Sequence, residues 1–534
     1  MNKLTYNIIT LFLPVSLIFA GVSVNQSRPV DFSFQKTNSS EMVLEILLDD
    51  ISLKTVEYHN EFYTELTVKG AGYHYTVGAP KLPLIRKLIK IPENSRIEYE
   101  IAIHSEENLD LSQTNFPDPI LPVQPFRRKS ATGRTQVVIS NEIYGKDDYY
   151  APGIVNTHES FKMGGINGVM LDFFPVSYNP VRHSLKLITS ATVTVKIIQD
   201  RFKKSTAKSP IYHPDFDRIA RDIFVNYDET DSQIKSTAPL NFLVIAGDQF
   251  ADNTESHTYL RWKRQCGFNT ILKSVSELGG TAASIKDYIL SHYSSDSPPA
   301  YVLLVGDVAE IPAWTGMIGE TETDAPYARM DSSDFIPDLM IGRFSAADDS
   351  DLSAIIHKSM AYAQCDVSSL DAFNKVTFIA TNDPDYWELT EASHNYVIDT
   401  YLKNRGVYTD HIKGHSDGST LDIAQALNDG RTICHYSGHG LEFEWQGPEF
   451  LQSNIGEFNY GSVPAFIISN ACLTGSFADA EPECFGESWI RTADKGAFAF
   501  IGASNSSYWE PDDIMERGMY DGFFEDGETS IGAM

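Results

Sequence analysis

The sequence predicts an α/β domain built on parallel sheets and preceded by a β-rich N-terminal domain. From residue 241 onward, short apolar runs that end in glycine or polar residues alternate with segments of helical periodicity. Such alternation predicts parallel strands joined by right-handed crossovers. Before about residue 200, short alternating or apolar segments are separated by turn clusters, which predicts antiparallel strands instead. The two patterns meet in a polar, basic stretch at about 202–237.

The N-terminal domain is predicted to span residues 21–235. Segments 42–48, 65–68 and 191–198 read as strands, and the prolines between residues 80 and 125 suit the edges and loops of a sandwich or barrel. His74, His104, His158 and His183 lie far apart without metal-ligand spacing, so we predict neither a catalytic nor a metal site here.

The first twenty residues are typical of a signal peptide. Lys3 precedes an apolar stretch at 8–19, and Ala20-Gly21 supplies a small-residue exit. The apolar stretch is too short for a membrane span, and no later stretch is long and apolar enough. We therefore expect an exported chain, secreted or at the cell surface, with no membrane span once the signal is removed.

Composition excludes some functions and leaves room for a reactive thiol. The 534 residues carry a formal net charge of −30, which argues against a nucleic-acid binder. No phosphate-binding glycine loop follows the predicted strands, which disfavours nucleotide binding. Five cysteines are an odd number, so at least one thiol is unpaired within a monomer.

The linker at about 202–237 carries basic residues that we predict as cleavage sites, with one short helix near 216–224. We divide the remainder into a first half, 238–370, and a second half, 371–534. Because the chain stops at Met534 within sequence that reads as folded, we expect a truncated fragment.

The α/β elements follow in order. Strands are predicted at 242–246, 301–305, 338–344, 375–380, 431–436, 463–470 and 496–502. Helices are predicted at 257–265, from an N-cap at Ser345 through Met360, and at 392–402, 421–427 and 485–490.

Two of these strands deliver the residues of a thiol nucleophile. The run from 463 ends in Asn470-Ala471-Cys472, and the run 431–436 ends in Ser437-Gly438-His439-Gly440. Ligands of open α/β sheets bind at the carboxyl ends of the strands. A neighbouring histidine can take the proton of an attacking thiol, so Cys472 is the candidate nucleophile and His439 the candidate base.

Further groups are expected at the same rim. We predict the backbone N–H groups of Gly440 and Cys472 as donors to a developing oxyanion. Asp383 follows the strand 375–380 and is the candidate to orient His439.

Several motifs resemble the catalytic domain of gingipains. They are His435-Tyr-Ser-Gly-His-Gly440, Ser469-Asn-Ala-Cys-Leu-Thr-Gly475, Phe485-Gly-Glu-Ser488, Ile501-Gly-Ala-Ser504, the run 301–307 ending in Gly-Asp, and Ile341-Gly-Arg-Phe-Ser345. The match covers about 240–534 in the family's order. Upstream, Gly78-Ala-Pro-Lys-Leu-Pro83 resembles the gingipain propeptide. A broader resemblance to caspases lacks their Gln-Ala-Cys-x-Gly motif.

The resemblance implies a caspase-like α/β fold with two sheet-containing subdomains. It implies a secreted cysteine endopeptidase made as a zymogen, inhibited by its own β-rich propeptide and acting on proteins or peptides, with no cofactor for catalysis. Cys472 and His439 fall on the family's nucleophile and base, and Asp383 lies near a family glutamate. An acidic residue in the following helix, nearest to Glu391 here, would favour Arg or Lys before the scissile bond. The family also implies structural Ca²⁺, for which Asp324, Asp331, Asp334 and Asp338 are candidates.

Two other functions stay open. A sortase-like transpeptidase of the same family would pass the acyl group to an amine, and mass spectrometry of products formed with an added amine would detect the transfer. A non-enzymatic surface or metal-binding protein would use Cys434, His435, His439 and Cys472 as zinc ligands. Adjacent strand residues point to opposite faces, however, which separates Cys434 from His435.

Overall fold

The computed structural model describes residues 23–24, 31–38, 40–133, 136–200, 213–228, 239–295, 297–317, 321–330, 334–367, 370–457, 463–480, 482–527 and 530–534. The predicted signal peptide and the linker portions 201–212 and 229–238 lie outside the described residues. Within the described ranges, none of the helices has the length and apolar character needed to cross a bilayer.

The N-terminal domain is β-rich, as predicted. Its strands form three sheets, with orders β1-β4-β5, β6-β7-β10-β9 and β11-β12-β3-β2, and β8 pairs with β12. Their bounds are β1 Ser23–Val24, β2 Asp31–Asn38, β3 Glu41–Leu47, β4 Asp50–Tyr58, β5 Glu61–Thr67, β6 Gly72–Tyr73, β7 Pro83–Lys90, β8 Ser95–Asp110, β9 Val155–Met163, β10 Ile166–Phe173, β11 Val176–Asn179 and β12 Ser184–Gln199. The helices are α1 Asn141–Tyr144 and α2 Pro214–Ile223. In β3, Met42, Leu44 and Ile46 are buried and Glu45 is exposed, which is the alternation of a half-buried strand.

The first subdomain after the linker contains a four-stranded parallel sheet of order β14-β13-β15-β18. Its elements are β13 Asn241–Ala246, α3 Asp248–Ala251, α4 Thr254–Gln265, β14 Asn269–Ser274, α5 Ala282–Tyr293, β15 Pro299–Val305, β16 Trp314–Thr315, β17 Glu322–Thr323, α6 Ala325–Ala328, β18 Met340–Phe344 and α7 Asp349–Gln364. Residues of α4 and α7 pack on one face of the sheet and residues of α5 on the other.

The second subdomain contains a five-stranded parallel sheet of order β20-β19-β21-β25-β26. Its elements are β19 Lys375–Ala380, α8 Trp387–Val397, β20 Tyr408–Lys413, α9 Thr420–Asn428, β21 Ile433–Ser437, β22 His439–Leu441, β23 Glu444–Gln446, β24 Phe450–Leu451, α10 Gln452–Glu457, β25 Ala465–Asn470, α11 Phe485–Arg491, β26 Ala497–Gly502 and α12 Trp509–Phe524. Residues of α9, α10 and α11 cover one face, and residues of α8 and α12 cover the other. The predicted α/β fold with two sheet-containing subdomains is confirmed.

Helix α2 joins the N-terminal domain to the first subdomain. Phe216 and Ala220 are buried in a cluster that also holds residues of β9 and Met340 of β18. The Tyr301 hydroxyl of β15 donates a 2.7 Å hydrogen bond to Asp215 of α2. The short helix predicted in the linker is therefore present, and it is packed between the two domains rather than solvated.

The predicted N-cap of α7 is wrong. Asp348 caps the helix, because its Oδ1 accepts from the backbone N–H groups of Ser350 at 2.8 Å and Asp351 at 3.1 Å. The Ser345 hydroxyl instead donates to Glu487 of α11 at 2.5 Å. The Ser345 hydroxyl, which the local pattern predicts as the cap of α7, is thus used in a contact between the two subdomains.

A buried lysine fixes the two subdomains against each other. Lys358 of α7 donates from Nζ to the carbonyl oxygens of Trp489, Thr492 and Lys495, at 3.0, 2.7 and 2.8 Å. We expect Lys358→Met to lower the free energy of unfolding by about 2–4 kcal/mol, because three carbonyls lose their buried hydrogen-bond donor while the aliphatic volume is kept. Urea unfolding followed by tryptophan fluorescence measures this. Lys403→Met, at an exposed ion pair, is the control, and an equal loss in both variants would contradict the role of Lys358.

Candidate active site

Three neighbouring strands bring the predicted catalytic residues to one rim of the second sheet. Asp383 follows β19, His439 begins β22 directly after β21, and Cys472 follows β25. Since β19, β21 and β25 are adjacent and parallel, their carboxyl ends lie side by side.

Asp383 and His439 form a hydrogen-bonded pair. Asp383 Oδ2 lies 2.8 Å from His439 Nε2. The other oxygen, Oδ1, accepts from the backbone N–H groups of Asp385 and Tyr386, which fixes the carboxylate. Because a carboxylate only accepts, Nε2 carries the hydrogen in the neutral imidazole, and Nδ1 is the basic nitrogen.

The Cys472 thiol is buried, and its Sγ accepts a hydrogen bond of 3.3 Å from the N–H of Ser507. In the part of the chain that is described, Sγ makes no hydrogen bond to His439. The His439 ring instead lies edge-on against Trp509, with ring centroids 5.0 Å apart. The thiol and the base therefore sit at adjacent strand ends, with the thiol held by the segment that precedes α12.

Gly440 lets β22 approach the nucleophile. A Cβ at this position would lie 2.8 Å from Ala471 Cβ and 2.9 Å from the Cys472 carbonyl oxygen, closer than side chains pack. Leu473 has a φ of +61° and turns the chain sharply after the thiol. The contribution of the Gly440 and Cys472 N–H groups to an oxyanion hole remains a prediction.

A segment of the N-terminal domain pairs with the chain beside the thiol. The N–H of Lys129 donates to the Ser507 carbonyl at 2.9 Å, and the N–H of Trp509 donates to the Arg127 carbonyl at 3.1 Å. Arg128 pairs antiparallel with Tyr508. Ser507 thus bonds to both residues: its carbonyl accepts from the Lys129 N–H, and its own N–H donates to Cys472 Sγ. A single residue therefore separates the Lys129 backbone from the nucleophile.

The Lys129 side chain enters a pocket beside Cys472 and is 1% exposed. Its ammonium donates to Asp512 Oδ2 at 2.7 Å and to the Asn470 carbonyl oxygen, and lies 5.0 Å from the centre of the Trp509 ring. A carboxylate, a carbonyl and an aromatic face are suited to bind a cation.

Other predicted residues lie elsewhere. Glu391 accepts a 2.6 Å hydrogen bond from Lys413, and the carboxylate that meets Lys129 is Asp512. Of the calcium candidates, Asp324 is paired with Arg343, and Asp334 and Asp338 accept from backbone N–H groups. Asp331 lies outside the described residues. Among the residues placed by the structure, no group of three or more His, Cys, Asp or Glu side chains has metal-binding geometry, so Asp324, Asp334 and Asp338 do not form a calcium site as they are placed.

The alternative zinc site is not assembled either. Cys434 is buried in the core on one face of the sheet, where burial raises the pKa of its thiol. His435 points to the other face, where its Nε2 lies 3.0 Å from Asn470 Nδ2.

Sequence reasoning missed the residues of the lysine pocket. They are Lys129, Asn470, Ser507, Trp509 and Asp512. The one local signal was the basic run at 127–129 in an otherwise strand-free loop. Nothing local connects that run to the start of α12, which is more than 370 residues away.

A thiol, a histidine and a carboxylate at one sheet rim are typical of cysteine peptidases, and here a segment of the N-terminal domain fills the neighbouring pocket. The chain belongs to peptidase family C25: the model of that family matches residues 235–534, and the model of the C25 propeptide matches residues 25–235. The gingipain resemblance drawn from the motifs is therefore confirmed.

Individual relatives agree with this assignment. Lys-gingipain of Porphyromonas gingivalis is 26% identical over 523 residues, which is 96% of this chain and 30% of the relative. Gingipain R2 of the same species is 24% identical over 457 residues, 81% of this chain and 59% of the relative. A solved structure described as "Structure of Protease" is 27% identical with a TM-score of 0.50, covering 56% of this chain and 65% of that one. The chain thus spans about a third to three fifths of these curated relatives.

Proposed function

We propose that this chain is a secreted cysteine endopeptidase, made as a zymogen, that cleaves peptide bonds after lysine. The observation that carries the proposal is the Lys129 ammonium bound to Asp512 beside Cys472. The family match and the likeness to Lys-gingipain along most of the chain support it. The predicted signal peptide supports secretion.

The reaction follows from the three rim residues. His439 Nδ1 takes the proton of the Cys472 thiol, and the thiolate attacks the carbonyl carbon of the lysyl residue. The N–H groups of Gly440 and Cys472 stabilise the oxyanion, and collapse forms a thioester as the amine leaves with the proton from His439. Water, deprotonated by His439, then hydrolyses the thioester. Asp383 holds the imidazole in the required tautomer, and no step needs a cofactor.

The pocket favours lysine over arginine. Its two oxygen acceptors, from Asp512 and Asn470, meet one ammonium that lies under Trp509. A guanidinium is planar and donates in a fixed fork, so the same acceptors match it less well. Arginine is therefore expected as a weaker substrate.

The propeptide inhibits by occupying this pocket. Because Lys129 pairs with Asp512 and the flanking backbone pairs with residues 507–509, a substrate cannot bind until the segment leaves. Cleavage in the linker portions on either side of α2 would free the propeptide from the pocket only when α2 also dissociates from the first subdomain.

We expect the intact chain carrying Lys129→Ala to hydrolyse a lysyl peptide at least about tenfold faster than the intact wild-type zymogen. The reason is that the variant loses a buried ion pair, whose disruption costs about 3–5 kcal/mol. Release of a fluorescent leaving group from peptides with lysine, arginine or norleucine before the bond measures both latency and preference.

Lys146→Ala is the matched control, since Lys146 is an exposed lysine of the same domain. Equal latency of the two variants would contradict inhibition through the pocket. Equal rates of hydrolysis for the lysine, arginine and norleucine peptides would overturn the proposed lysine specificity.

A further inference from the structure

A second carboxyl group lies behind the lysine pocket. Asp512 and Glu516 are one turn apart on α12 and therefore share a helix face. Asp512 meets the Lys129 ammonium, whereas Glu516 lies deeper and is 1% exposed. Glu516 Oε2 accepts from the Ser437 hydroxyl at 2.9 Å and from Asn470 Nδ2 at 3.3 Å.

Asn470 connects Glu516 to the pocket and to the nucleophile. Its carbonyl oxygen accepts from Lys129 Nζ, while its side-chain amide reaches Glu516. It also lies two residues before Cys472 on the same strand end. A change of charge at Glu516 therefore alters the hydrogen bonding of Asn470, which contacts the bound ammonium directly.

Of the basic groups facing Glu516, Lys129 is the one that carries a positive charge, because the two neighbouring histidines are neutral. His394 of α8 and His435 of β21 lie 3.6 and 3.4 Å away, but burial lowers the pKa of His435 to about 3 and that of His394 well below its ordinary value. Asp513 on the same helix adds negative charge. Burial raises the pKa of Glu516 to about 8, and Asp513 acts in the same direction, whereas the hydrogen bond from Ser437 and the charge of Lys129 oppose it.

Histidines provide an exit for the proton of Glu516. Glu516 Oε1, which makes no hydrogen bond, lies 3.6 Å from His394 Nε2. His394 Nδ1 in turn lies 3.2 Å from Nε2 of the half-buried His411. A proton leaving the Glu516 carboxyl group would thus pass through His394 and His411 to water.

Building on the proposed lysine specificity, we propose that Glu516 is a positioning residue of the lysine pocket, which in alkaline solution loses its proton to solvent when a lysine ammonium enters. The carboxylate left behind is balanced by the new cation, and it holds Ser437 and Asn470 as hydrogen-bond donors. Above about pH 8 the occupied pocket then holds two carboxylates, those of Asp512 and Glu516, whereas the empty pocket holds the Asp512 carboxylate and a neutral Glu516.

The sign of the pH dependence follows from linkage. A bound ammonium lowers the pKa of Glu516, so the occupied pocket deprotonates at about pH 8 and the empty pocket at a higher pH. Between these two values an empty pocket must lose a proton to bind lysine. Affinity for lysine is therefore flat below about pH 8 and rises above it, by up to about tenfold for each unit that separates the two pKa values.

The test is a double-mutant cycle in the full chain carrying Cys472→Ala, with Lys129 itself as the probe of the pocket. Lys129→Met, Glu516→Gln and the double variant are compared by urea unfolding from pH 6 to 9.5, a limit below the ordinary pKa of lysine. We expect the effect of Lys129→Met on the unfolding constant to grow above about pH 8 when Glu516 is present, and to be independent of pH in Glu516→Gln.

A profile that is flat above pH 8 with Glu516 present, or equally steep in Glu516→Gln, would overturn the proposal. If Glu516→Gln fails to fold, the pH dependence of the Lys129→Met effect in the chain that retains Glu516 still supports or refutes the proposal. The chain is inert, so the cycle does not depend on peptidase activity. A lysine-specific enzyme with a flat profile refutes this inference alone, and a rising profile in a chain without hydrolysis refutes the proposed function alone.

Discussion

Replacing Cys472 with alanine is expected to lower kcat/KM for lysyl peptides at least about 10,000-fold, because the variant has no nucleophile to form the thioester. The fold should persist, since the change removes one sulfur atom whose hydrogen-bond contacts are all with Ser507 in the part of the chain that is described. Hydrolysis by the matured chain, together with unchanged circular dichroism, measures the effect.

The other cysteines provide matched controls. Cys266 is exposed and lies in the first subdomain, so Cys266→Ala should leave activity unchanged. Cys434→Ala tests a buried thiol whose raised pKa keeps it protonated, and only stability should fall. Undiminished hydrolysis in Cys472→Ala would remove the basis of the thiol mechanism.

Asp512→Asn is expected to lower kcat/KM for lysyl peptides by about 100- to 1,000-fold, because the substrate ammonium would be buried without a charged partner. The substitution keeps the shape of the side chain and removes only its charge. Peptides with norleucine in place of lysine should lose much less, since they never use the carboxylate. The same variant should also weaken the hold of Lys129 in the zymogen.

Glu391→Gln is the natural comparison, because the family resemblance implies this role for Glu391. In the structure its carboxylate is paired with Lys413 instead of facing Lys129. We expect lysyl peptide hydrolysis by Glu391→Gln to stay within about threefold of wild type, as for a partly exposed ion pair. A large loss in Glu391→Gln with none in Asp512→Asn would reassign the specificity residue.

Much of the rim could be predicted because it depends on local patterns. An apolar run that ends in small and polar residues indicates a strand end wherever it occurs, so the local pattern alone places Cys472, His439 and Asp383 each at a strand end. The parallel arrangement followed from the alternation of strands and helices, and parallel strands bring their carboxyl ends to one rim. The cap at Ser345 was wrong because a contact between subdomains, with Glu487, competes for its hydroxyl.

The sequence by itself determined the two-part architecture, the family and the strand ends that carry the thiol and the histidine, since periodicity and motifs are properties of neighbouring residues. Only the tertiary structure decided that β19, β21 and β25 are adjacent, and hence that Asp383 lies 2.8 Å from His439. It also decided that Lys129 meets Asp512, a residue 383 positions away in another domain. Such contacts depend on the order of strands in the sheet and on how two domains pack, and local sequence patterns predict neither.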